Sequence, residues 1–367
     1  MMAKYFLIAG EASGDTHAAR LMASIRARDP QAVFAGMGGD RMAEAGCHLY
    51  QDYRRMAFMG IAAVLHNLGQ VRRNFRIAKE ALQAEQPDAL ILIDYPSFNL
   101  RIAAFARQWL PKTKIYYYIP PKVWAWKRWR IHEIARLSDE VLGIFPFEPD
   151  FYARYGYRCT YVGHPTVEEM KGKKERKQES GRKAIALLPG SRMSEVSHCL
   201  PVMLEAARRM SGYRIVVTAA NGIDDEVYTR YLRDGETLTR DTYAAIQNAV
   251  MAIVNSGTAT LETALTGCPQ VAVYYLACSR LIGLVRGIVQ PLMFSIRYFT
   301  PVNIVLQRDA VHELLANDFT ADNIHAALMD LEREEAKAES EKIRAELETL
   351  LGTQSASETA AKMIVKT

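Results

Sequence analysis

An aspartate follows directly after a predicted buried strand. Residues 89–93 form an unbroken apolar run, ALILI, and Asp94 comes next, before Tyr95 and Pro96. In open α/β folds, ligands bind at the carboxyl ends of parallel strands, where such an acid can serve in proton transfer. An acid in this place can equally cap the next helix or close a turn. The strand by itself leaves both interpretations open.

A turn that contains glycine follows the first predicted strand. The segment AGEASGD, residues 9–15, opens the first helix, and Gly10 allows a tight turn there. Glu11 and Ser13 are then available to bind sugar hydroxyls, although a capped helix start accounts for the segment equally well. The glycines do not have the GxGxxG spacing of a dinucleotide-binding loop, so we expect no nicotinamide or flavin cofactor.

A second turn of this kind lies at the equivalent place in the second half, in LLPGSRMSEV, residues 187–196. Pro189, Gly190 and Ser191 predict a tight turn, and the free backbone N–H groups of the helix that follows favour an anion. Arg192 adds a permanent charge that can donate two hydrogen bonds to phosphate oxygens. An arginine in a surface turn is common, but the combination of turn, hydroxyl and guanidinium favours phosphate binding.

The segment NSGTATLE, residues 255–262, repeats the arrangement. Ser256, Gly257 and Thr258 lie between a predicted strand and a predicted helix, and Glu262 lies one turn further along the same helix face. The helix N-terminus can hold a diphosphate while the carboxylate accepts hydrogen bonds from two ribose hydroxyls. Alone, the segment is also explained by a glutamate that stabilises a helix N-terminus. Beside the arginine turn, it predicts a nucleoside diphosphate site.

The elements that position these residues alternate between short apolar runs and helix-length segments, which indicates doubly wound parallel sheets. A polar, basic segment, residues 171–183, separates two similar halves and predicts an exposed linker. The predicted strands are 5–10, 32–37, 89–94, 114–120 and 140–145 before the linker, and 184–191, 214–220, 251–257 and 270–275 after it.

The length of 367 residues favours two domains. We place an N-terminal Rossmann-like domain at 1–165, a C-terminal Rossmann-like domain at 166–340, and a helical tail at 341–367 that can pack back on the N-terminal domain. The expected fold class is α/β, with the two Rossmann-like domains facing a central cleft.

The net charge of +5 favours anionic partners and does not require nucleic acid, which we do not expect as a partner. The cysteine count of five is odd and no CxxC occurs, which fits a reducing compartment and no structural zinc site. We expect no signal peptide and no membrane-spanning helix. Segments 54–82 and 279–299 place apolar residues beside arginines, which is typical either of helices on an anionic membrane or of core helices with solvated edges.

Several residue groups together resemble the lipid-A-disaccharide synthase family of glycosyltransferases, which have the GT-B fold of two Rossmann-like domains. The resemblance runs from near residue 5 to at least residue 316, and the VWAW and IDxPxFN groups are its most specific parts. The groups, in chain order, are AGEASGD, GMGGDRMAEAG, FMGIAAVL, LILIDYPSFN, PPKVWAW, YVGHP, LLPGSR and NSGTATLE.

The resemblance implies an inverting transfer of 2,3-diacylglucosamine from UDP onto 2,3-diacylglucosamine 1-phosphate, giving a β-1,6 disaccharide 1-phosphate and UDP. It implies a cytoplasmic protein, peripheral on the inner face of the inner membrane, and leaves a homodimer open. The family's proposed base falls on Asp94, its UDP-contacting arginine on Arg192, its ribose-type glutamate on Glu262, and the asparagine of its PN group on Asn303. Two departures are Ser97, where other members can carry an acid, and Lys122 before VWAW.

Several alternatives stay open at this point. Glu11 and Asp15 are rival bases, and no DxD-like pair is placed for a metal, so we expect neither a metal nor another cofactor. Another GT-B enzyme that acts on UDP-sugars, such as a peptidoglycan glycosyltransferase or a non-hydrolysing 2-epimerase, would contain the same turns. A non-catalytic membrane-surface protein would need neither Asp94 nor a UDP site.

Overall fold

The computed structural model describes residues 2–56, 68–171, 173, 183–275 and 297–365. Contacts divide the chain into two compact units. The first unit comprises Met1–Glu168 together with Thr353–Thr367, and the second comprises Glu169–Gly352.

Each unit contains one sheet in which all described strand pairs are parallel. The strands of the first unit are β1 Lys4–Ala9, β2 Val33–Gly38, β3 Cys47–Asp52, β4 Ala89–Ile93, β5 Lys114–Tyr118, β6 Glu140–Gly143 and β7 Thr160–Tyr161. Those of the second unit are β8 Ala184–Leu188, β9 Arg214–Thr218, β10 Thr237–Thr239, β11 Ala249–Asn255, β12 Gln270–Tyr274 and β13 His312–Leu315.

Most of the described helices connect these strands, and the last three follow β13. In chain order they are α1 Ala12–Arg28, α2 Asp40–Glu44, α3 Leu68–Glu85, α4 Pro96–Trp109, α5 Arg130–Leu137, α6 Glu148–Ala153, α7 Pro165–Met170, α8 Met193–Ala207, α9 Glu226–Thr229, α10 Thr242–Gln247, α11 Thr258–Leu265, α12 Pro301–Leu306, α13 Ala321–Leu331, α14 Glu334–Leu351 and α15 Ala356–Ile364. Short 3₁₀ turns lie at Tyr53–Arg55 and Ala316–Asp318.

The two sheets have the same strand order around their centres. The first runs β3-β2-β1-β4-β5-β6-β7 and the second β10-β9-β8-β11-β12-β13, so both contain the Rossmann order 3-2-1-4-5-6. The order reverses between β1 and β4 in the first unit and between β8 and β11 in the second. At such a switch point the loops after the two strands diverge and leave a crevice for a ligand. The resulting α/β architecture confirms the expected fold class.

The central strands are fully buried because helices cover both faces of a parallel sheet. All five residues of β4, and all five of β8, are buried. The core of the first unit packs Phe6, Leu92 and Tyr117 against apolar faces of the helices. The second unit does the same on one sheet face with residues such as Leu187 and Ile253.

Four strands lack the continuous apolar run that predicts a buried strand, and all four lie at sheet edges. They are β3, β7, β10 and β13. Edge strands are short or partly exposed, so their residues need not be apolar on both faces. The edge strand β3 reads CHLYQD, and most of its side chains are only half-buried.

The chain returns to the first unit at its C-terminal end. Helix α15 packs on α1, where the Ser357 and Ser24 hydroxyls lie 2.8 Å apart. The backbone N–H of Ser357 also donates to the Glu168 carboxylate at 2.9 Å. The preceding helix, α14, belongs to the second unit and packs on α11 and α12.

Residues 57–67 of the amphipathic segment 54–82 and residues 279–296 of the segment 279–299 lie outside the described residues, as does most of the basic segment 171–183. Met56, which the sequence groups with the apolar residues of the first segment, is a core residue with 1% exposure. None of the helices within the described part of the chain combines the length and the apolar character needed to cross a bilayer.

Candidate functional site

Asp94 lies at the switch point of the first sheet. It follows β4, whose last residue pairs with Ala9 of β1 on one side and with Tyr118 of β5 on the other. Its backbone is left-handed, with φ of +43°, and Tyr95 follows with φ of +45°. Two consecutive left-handed residues that are not glycine are costly, and such strain is typical of functional sites. Asp94 is half-buried at this edge.

A set of long-range contacts holds this turn in place. The Asn99 amide donates to the Asp94 carbonyl at 2.7 Å, and the Tyr117 hydroxyl donates to the same oxygen at 2.8 Å. The Tyr95 hydroxyl donates to the carbonyl of Met56 at 2.6 Å. A Cβ on Gly10 would lie 2.2 Å from the Tyr95 ring, so the close approach of the ring requires glycine there. The IDxPxFN group therefore builds the turn that presents Asp94.

The surroundings of Asp94 keep it a weak acid. Burial and, to a smaller extent, the nearby Glu11 carboxylate raise the pKa of its carboxyl to about 6. The ammonium of Lys122 opposes this effect by lowering the same pKa. A carboxylate whose pKa lies near 6 is ionised at neutral pH and is a stronger base than an ordinary aspartate.

The rival base Asp15 has a structural task instead. It is buried and accepts hydrogen bonds from the backbone N–H groups of Gly39 at 2.7 Å, Arg41 at 3.0 Å and Met42 at 3.1 Å. These bonds fix the turn between β2 and α2 and occupy both carboxylate oxygens. Glu11 remains beside Asp94. The Ser13 hydroxyl donates a hydrogen bond to the Glu11 carboxylate at 3.4 Å.

Lys122, Glu148 and His164 follow the ends of β5, β6 and β7, at the same edge of the sheet as Asp94, and the sequence analysis gave them no role. Glu148 is buried and accepts hydrogen bonds from two backbone N–H groups and from the indole of Trp124. Burial raises the pKa of Glu148 to about 7. Burial, with the charge of Lys122, lowers the pKa of His164 to about 3, so its imidazole is neutral. The sequence marks Lys122 only as a departure from the family pattern, because a lysine precedes the VWAW group.

In the second unit, the predicted anion site is closed by a side chain of the same turn. The Glu195 carboxylate accepts from the backbone N–H of Ser191 at 3.0 Å and pairs with the Arg192 guanidinium at 2.8 Å. Gly190 has φ of +115°, and a Cβ there would lie 2.4 Å from the Glu195 carboxylate and 2.7 Å from the Asn255 amide. In the structure the turn contacts a negative charge, which the Glu195 carboxylate supplies. Phosphate binding at this turn stays a prediction.

The turn after β11 lies next to it at the second switch point. Ser256 donates its backbone N–H to Val273 at 2.8 Å, which fixes the start of the turn. Gly257 has open space where a Cβ would stand, so a ligand can approach its backbone closely. Thr258 is exposed at the first position of α11. Glu262, one turn on, is half-buried, and burial together with the charge of Glu169 raises its pKa.

Asn303 lies in α12, which packs on α11, and it is completely buried with its amide fully used inside the fold. Its oxygen accepts from the backbone N–H groups of Ala310 and Val311 at 2.9 and 2.8 Å. Its nitrogen donates to the Val311 carbonyl at 2.8 Å and to the Glu313 carboxylate at 2.9 Å. The Glu313 carboxylate in turn accepts hydrogen bonds from the backbone N–H and the hydroxyl of Thr300. These hydrogen bonds hold the segment between α12 and β13 in place. The structure gives Asn303 this positioning task.

The structure thus brings together two groups of predicted residues, one at each switch point. The first group offers a raised-pKa carboxylate for proton transfer, and the second offers a turn, a guanidinium and a helix N-terminus for phosphates. Within the described residues no set of three histidine, cysteine, aspartate or glutamate side chains is placed to hold a metal ion.

Comparisons with solved structures agree with the two-unit architecture. The glycosyltransferase of kitacinnamycin is 12% identical and matches all of this chain and 99% of its own, with a TM-score of 0.66. A UDP-GlcNAc 2-epimerase from Neisseria meningitidis is 10% identical and matches all of this chain and 99% of its own, with a TM-score of 0.55. At these identities the likeness shows the fold alone, which is GT-B.

Comparisons of sequence are more specific. A lipid-A-disaccharide synthase of Myxococcus xanthus is 39% identical over 88% of this chain and 86% of its own length. One from Geobacter sulfurreducens is 35% identical over 99% of this chain and 97% of its own. The family profile described as lipid-A-disaccharide synthetase matches residues 5–367. The chain therefore belongs to the lipid-A-disaccharide synthetase family and is a hexosyltransferase of lipid A biosynthesis.

Proposed function

We propose that this enzyme joins UDP-2,3-diacylglucosamine to 2,3-diacylglucosamine 1-phosphate. The C6 hydroxyl oxygen of the acceptor attacks C1 of the donor sugar, and the bond from C1 to the diphosphate oxygen breaks. The products are the β-1,6-linked disaccharide 1-phosphate and UDP. Attack from the face opposite the leaving group inverts the configuration at C1 and requires a single base on the acceptor side.

Asp94 takes the proton of the attacking hydroxyl. The observation that carries this assignment is the half-buried Asp94 carboxylate at the first switch point, whose pKa is raised to about 6. At neutral pH it is ionised, and it holds a transferred proton more firmly than an ordinary aspartate does. Its fixed left-handed turn restricts the directions that the carboxylate can take, which favours a productive geometry. Glu11 and Ser13 lie beside it and bind acceptor hydroxyls.

The second unit holds the UDP part of the donor. Arg192 leaves Glu195 and donates to the diphosphate, joined by backbone N–H groups at Gly190 and Ser191. The start of α11, with the open backbone at Gly257, faces the same phosphates and supplies further N–H groups. Spreading the charge of the leaving UDP over these donors removes the need to protonate it.

Two further residues act on the donor side. Glu262 accepts hydrogen bonds from the ribose hydroxyls, and its half-buried position makes those bonds stronger than they would be in water. Ser256 and Thr258 offer hydroxyls at the start of α11, beside the phosphates. Asn303 acts at a distance by keeping the segment after α12 in place through its bonds to residues 310, 311 and 313.

We also propose that the enzyme works as a peripheral protein on an anionic membrane, because both substrates carry acyl chains. Helix α3 supports this with exposed Arg72, Arg73 and Arg76. Each basic residue near such a surface contributes about 1 kcal/mol at low salt. Replacing all three by glutamine should weaken binding to anionic vesicles and leave UDP affinity unchanged. Unchanged vesicle binding would place the contact elsewhere. The homodimer stays a prediction.

Mass spectrometry of the product tests the proposed reaction. Incubation of the protein with UDP-2,3-diacylglucosamine and 2,3-diacylglucosamine 1-phosphate should yield a disaccharide 1-phosphate and an equal amount of UDP. Enzymatic or chemical analysis of the linkage should give β-1,6. Incubation with the UDP-sugar alone is the control, and formation of an epimer there, with no disaccharide in the complete reaction, would refute the proposal.

A further inference from the structure

Lys122 is presented to solvent by a segment that is otherwise buried. Its neighbours at 121 and 123–125 are all buried, whereas the lysine itself is exposed. Its carbonyl accepts hydrogen bonds from the backbone N–H groups of Ala125 at 2.9 Å and Trp126 at 3.1 Å. Two prolines precede it and restrict the backbone further. The backbone that carries the Lys122 side chain is therefore held in one conformation.

The backbone segment before Lys122 is hydrogen-bonded to the turn that holds Asp94. The strands β4 and β5 are neighbours, and the backbone N–H of Asp94 donates to the carbonyl of Ile119 at 3.2 Å. The Lys122 ammonium lies 5.8 Å from the centre of the Phe145 ring, at the same edge of the sheet. Its charge acts on Asp94, Glu148 and His164, lowering the pKa of each.

The positive charge of Lys122 is not cancelled by an ion pair with any of the described residues. The segment 119–130 carries four basic residues and no acidic one. Asp94 and Glu11, by contrast, place two carboxylates where the acceptor must bind, and they repel an anionic substrate. A cation at this edge offsets that repulsion and attracts an anion.

We propose that Lys122 binds the phosphate of the acceptor and so determines that a sugar 1-phosphate, rather than a neutral sugar, is the preferred acceptor. The inference rests on the proposed function, in which Asp94 receives the proton of the C6 hydroxyl. The phosphate is on C1 and the C6 hydroxyl is carried by C5, and both of these carbons are bonded to the ring oxygen, so the phosphate-binding group must lie on the side of the acceptor ring that is near Asp94. A lysine ammonium binds phosphate as a point charge and tolerates some variation in distance.

Acceptor selectivity tests the proposal. The rates are measured with 2,3-diacylglucosamine 1-phosphate and with its dephosphorylated analogue, in the pH range where activity is constant. For Lys122→Gln we expect the KM of the phosphorylated acceptor to rise about 10- to 100-fold, as for loss of a charged hydrogen bond. The kcat/KM of the dephosphorylated analogue should stay unchanged. Lys122→Arg keeps the charge and should retain most of the preference.

Lys127→Gln is the matched control, because Lys127 belongs to the same loop but its ammonium lies over the Trp126 ring at 4.6 Å. It should leave the selectivity unchanged. In Lys122→Gln, kcat/KM can fall equally for both acceptors while the acid limb of the pH profile of kcat/KM moves to higher pH. This result would show that Lys122 acts only through Asp94 and would overturn the proposal. Unchanged selectivity would overturn it as well. Failure of the unaltered enzyme to form disaccharide phosphate would instead refute the proposed function.

Discussion

Replacing Asp94 by asparagine should lower activity and, at the same time, stabilise the first unit. Asparagine is nearly the same size and tolerates the left-handed backbone at φ of +43°, which alanine would not. The variant therefore removes the charge without disturbing the turn. Loss of the base should reduce turnover by about 10²–10⁴-fold. UDP affinity should not change, because the proposed UDP site lies in the second unit.

The expected stabilisation follows from the raised pKa of Asp94. The pKa rises from its ordinary value of 3.8 to about 6 in the folded protein, a difference of about 2. Each pKa unit corresponds to about 1.4 kcal/mol, which gives an upper value of about 3 kcal/mol. Because the carboxylate keeps some contact with solvent, we expect about 1–2 kcal/mol.

The sign of the effect depends on pH. Between pH 3.8 and about 6 the folded protein binds more protons at Asp94 than the unfolded chain does. The stability that Asp94 contributes is therefore fully present below pH 3.8 and is lost as the pH rises through about 6. Asp94→Asn should be more stable than the unaltered protein at pH 8, and this difference should disappear near pH 4.

Denaturant unfolding at the two pH values, followed by a probe in the first unit, measures the difference. Asp150→Asn is the control, since Asp150 is an exposed carboxylate in the same unit. It should change stability equally little at both pH values. Two results would refute a raised pKa of Asp94. One is an Asp94→Asn variant that is less stable than the unaltered protein at pH 8, and the other is a stability difference between the two proteins that is the same at both pH values.

Three further predictions concern Arg192 together with Glu195, then Gly190, and then Glu148. Arg192→Ala should weaken UDP binding by about 1.5–3 kcal/mol, the cost of a lost charged hydrogen bond. Glu195→Gln should strengthen UDP binding by about 1 kcal/mol, because a charge that repels the phosphates is removed. Calorimetry in which Glu195→Gln weakens and Arg192→Ala strengthens UDP binding would exclude displacement of Glu195 by phosphate. Gly190→Ala should cost at least about 1 kcal/mol in thermal unfolding and should impair UDP binding, because the new Cβ meets the Glu195 carboxylate; normal unfolding would show that the turn can adjust. Glu148→Ala should destabilise the first unit by more than about 3 kcal/mol in denaturant unfolding, since three buried N–H donors lose their acceptor; a loss below about 1 kcal/mol would mean that water replaces the carboxylate.

The sequence predicts the positions of Asp94 and of the two glycine turns because their signals are local. A run of five buried apolar residues ends at Asp94, and a parallel sheet requires such runs in its centre. The edge strands give no such signal, because much of their surface is exposed. The contact between Gly10 and the Tyr95 ring could not be predicted, since it joins residues far apart in the chain that only the sheet order brings together.

The sequence predicts phosphate binding at the turn of Arg192, and this stays a prediction, whereas the contact of the Glu195 carboxylate with that turn is a finding of the structure. A glutamate three residues after Arg192 is a sequence signal for a side chain that folds back onto a helix start, and Glu195 has this spacing. The resemblance places Asn303 in the substrate site, which stays a prediction, and in the structure its amide holds Ala310 and Val311. Its burial depends on where Glu313 lies, which no local pattern determines.

The pH dependence of kcat/KM, measured for the unaltered enzyme and for Glu11→Gln, tests the role of Asp94 most directly. We expect activity to fall about tenfold per unit below pH 6, because Asp94 has a pKa of about 6 in the free enzyme. The acceptor phosphate also titrates near pH 6, so the limb of the unaltered enzyme alone does not identify the group. Since the Glu11 carboxylate raises the pKa of Asp94, Glu11→Gln should remain active and its acid limb should move to lower pH. An acid limb that does not move, or a loss of activity in Glu11→Gln as large as that in Asp94→Asn, would contradict Asp94 as the base.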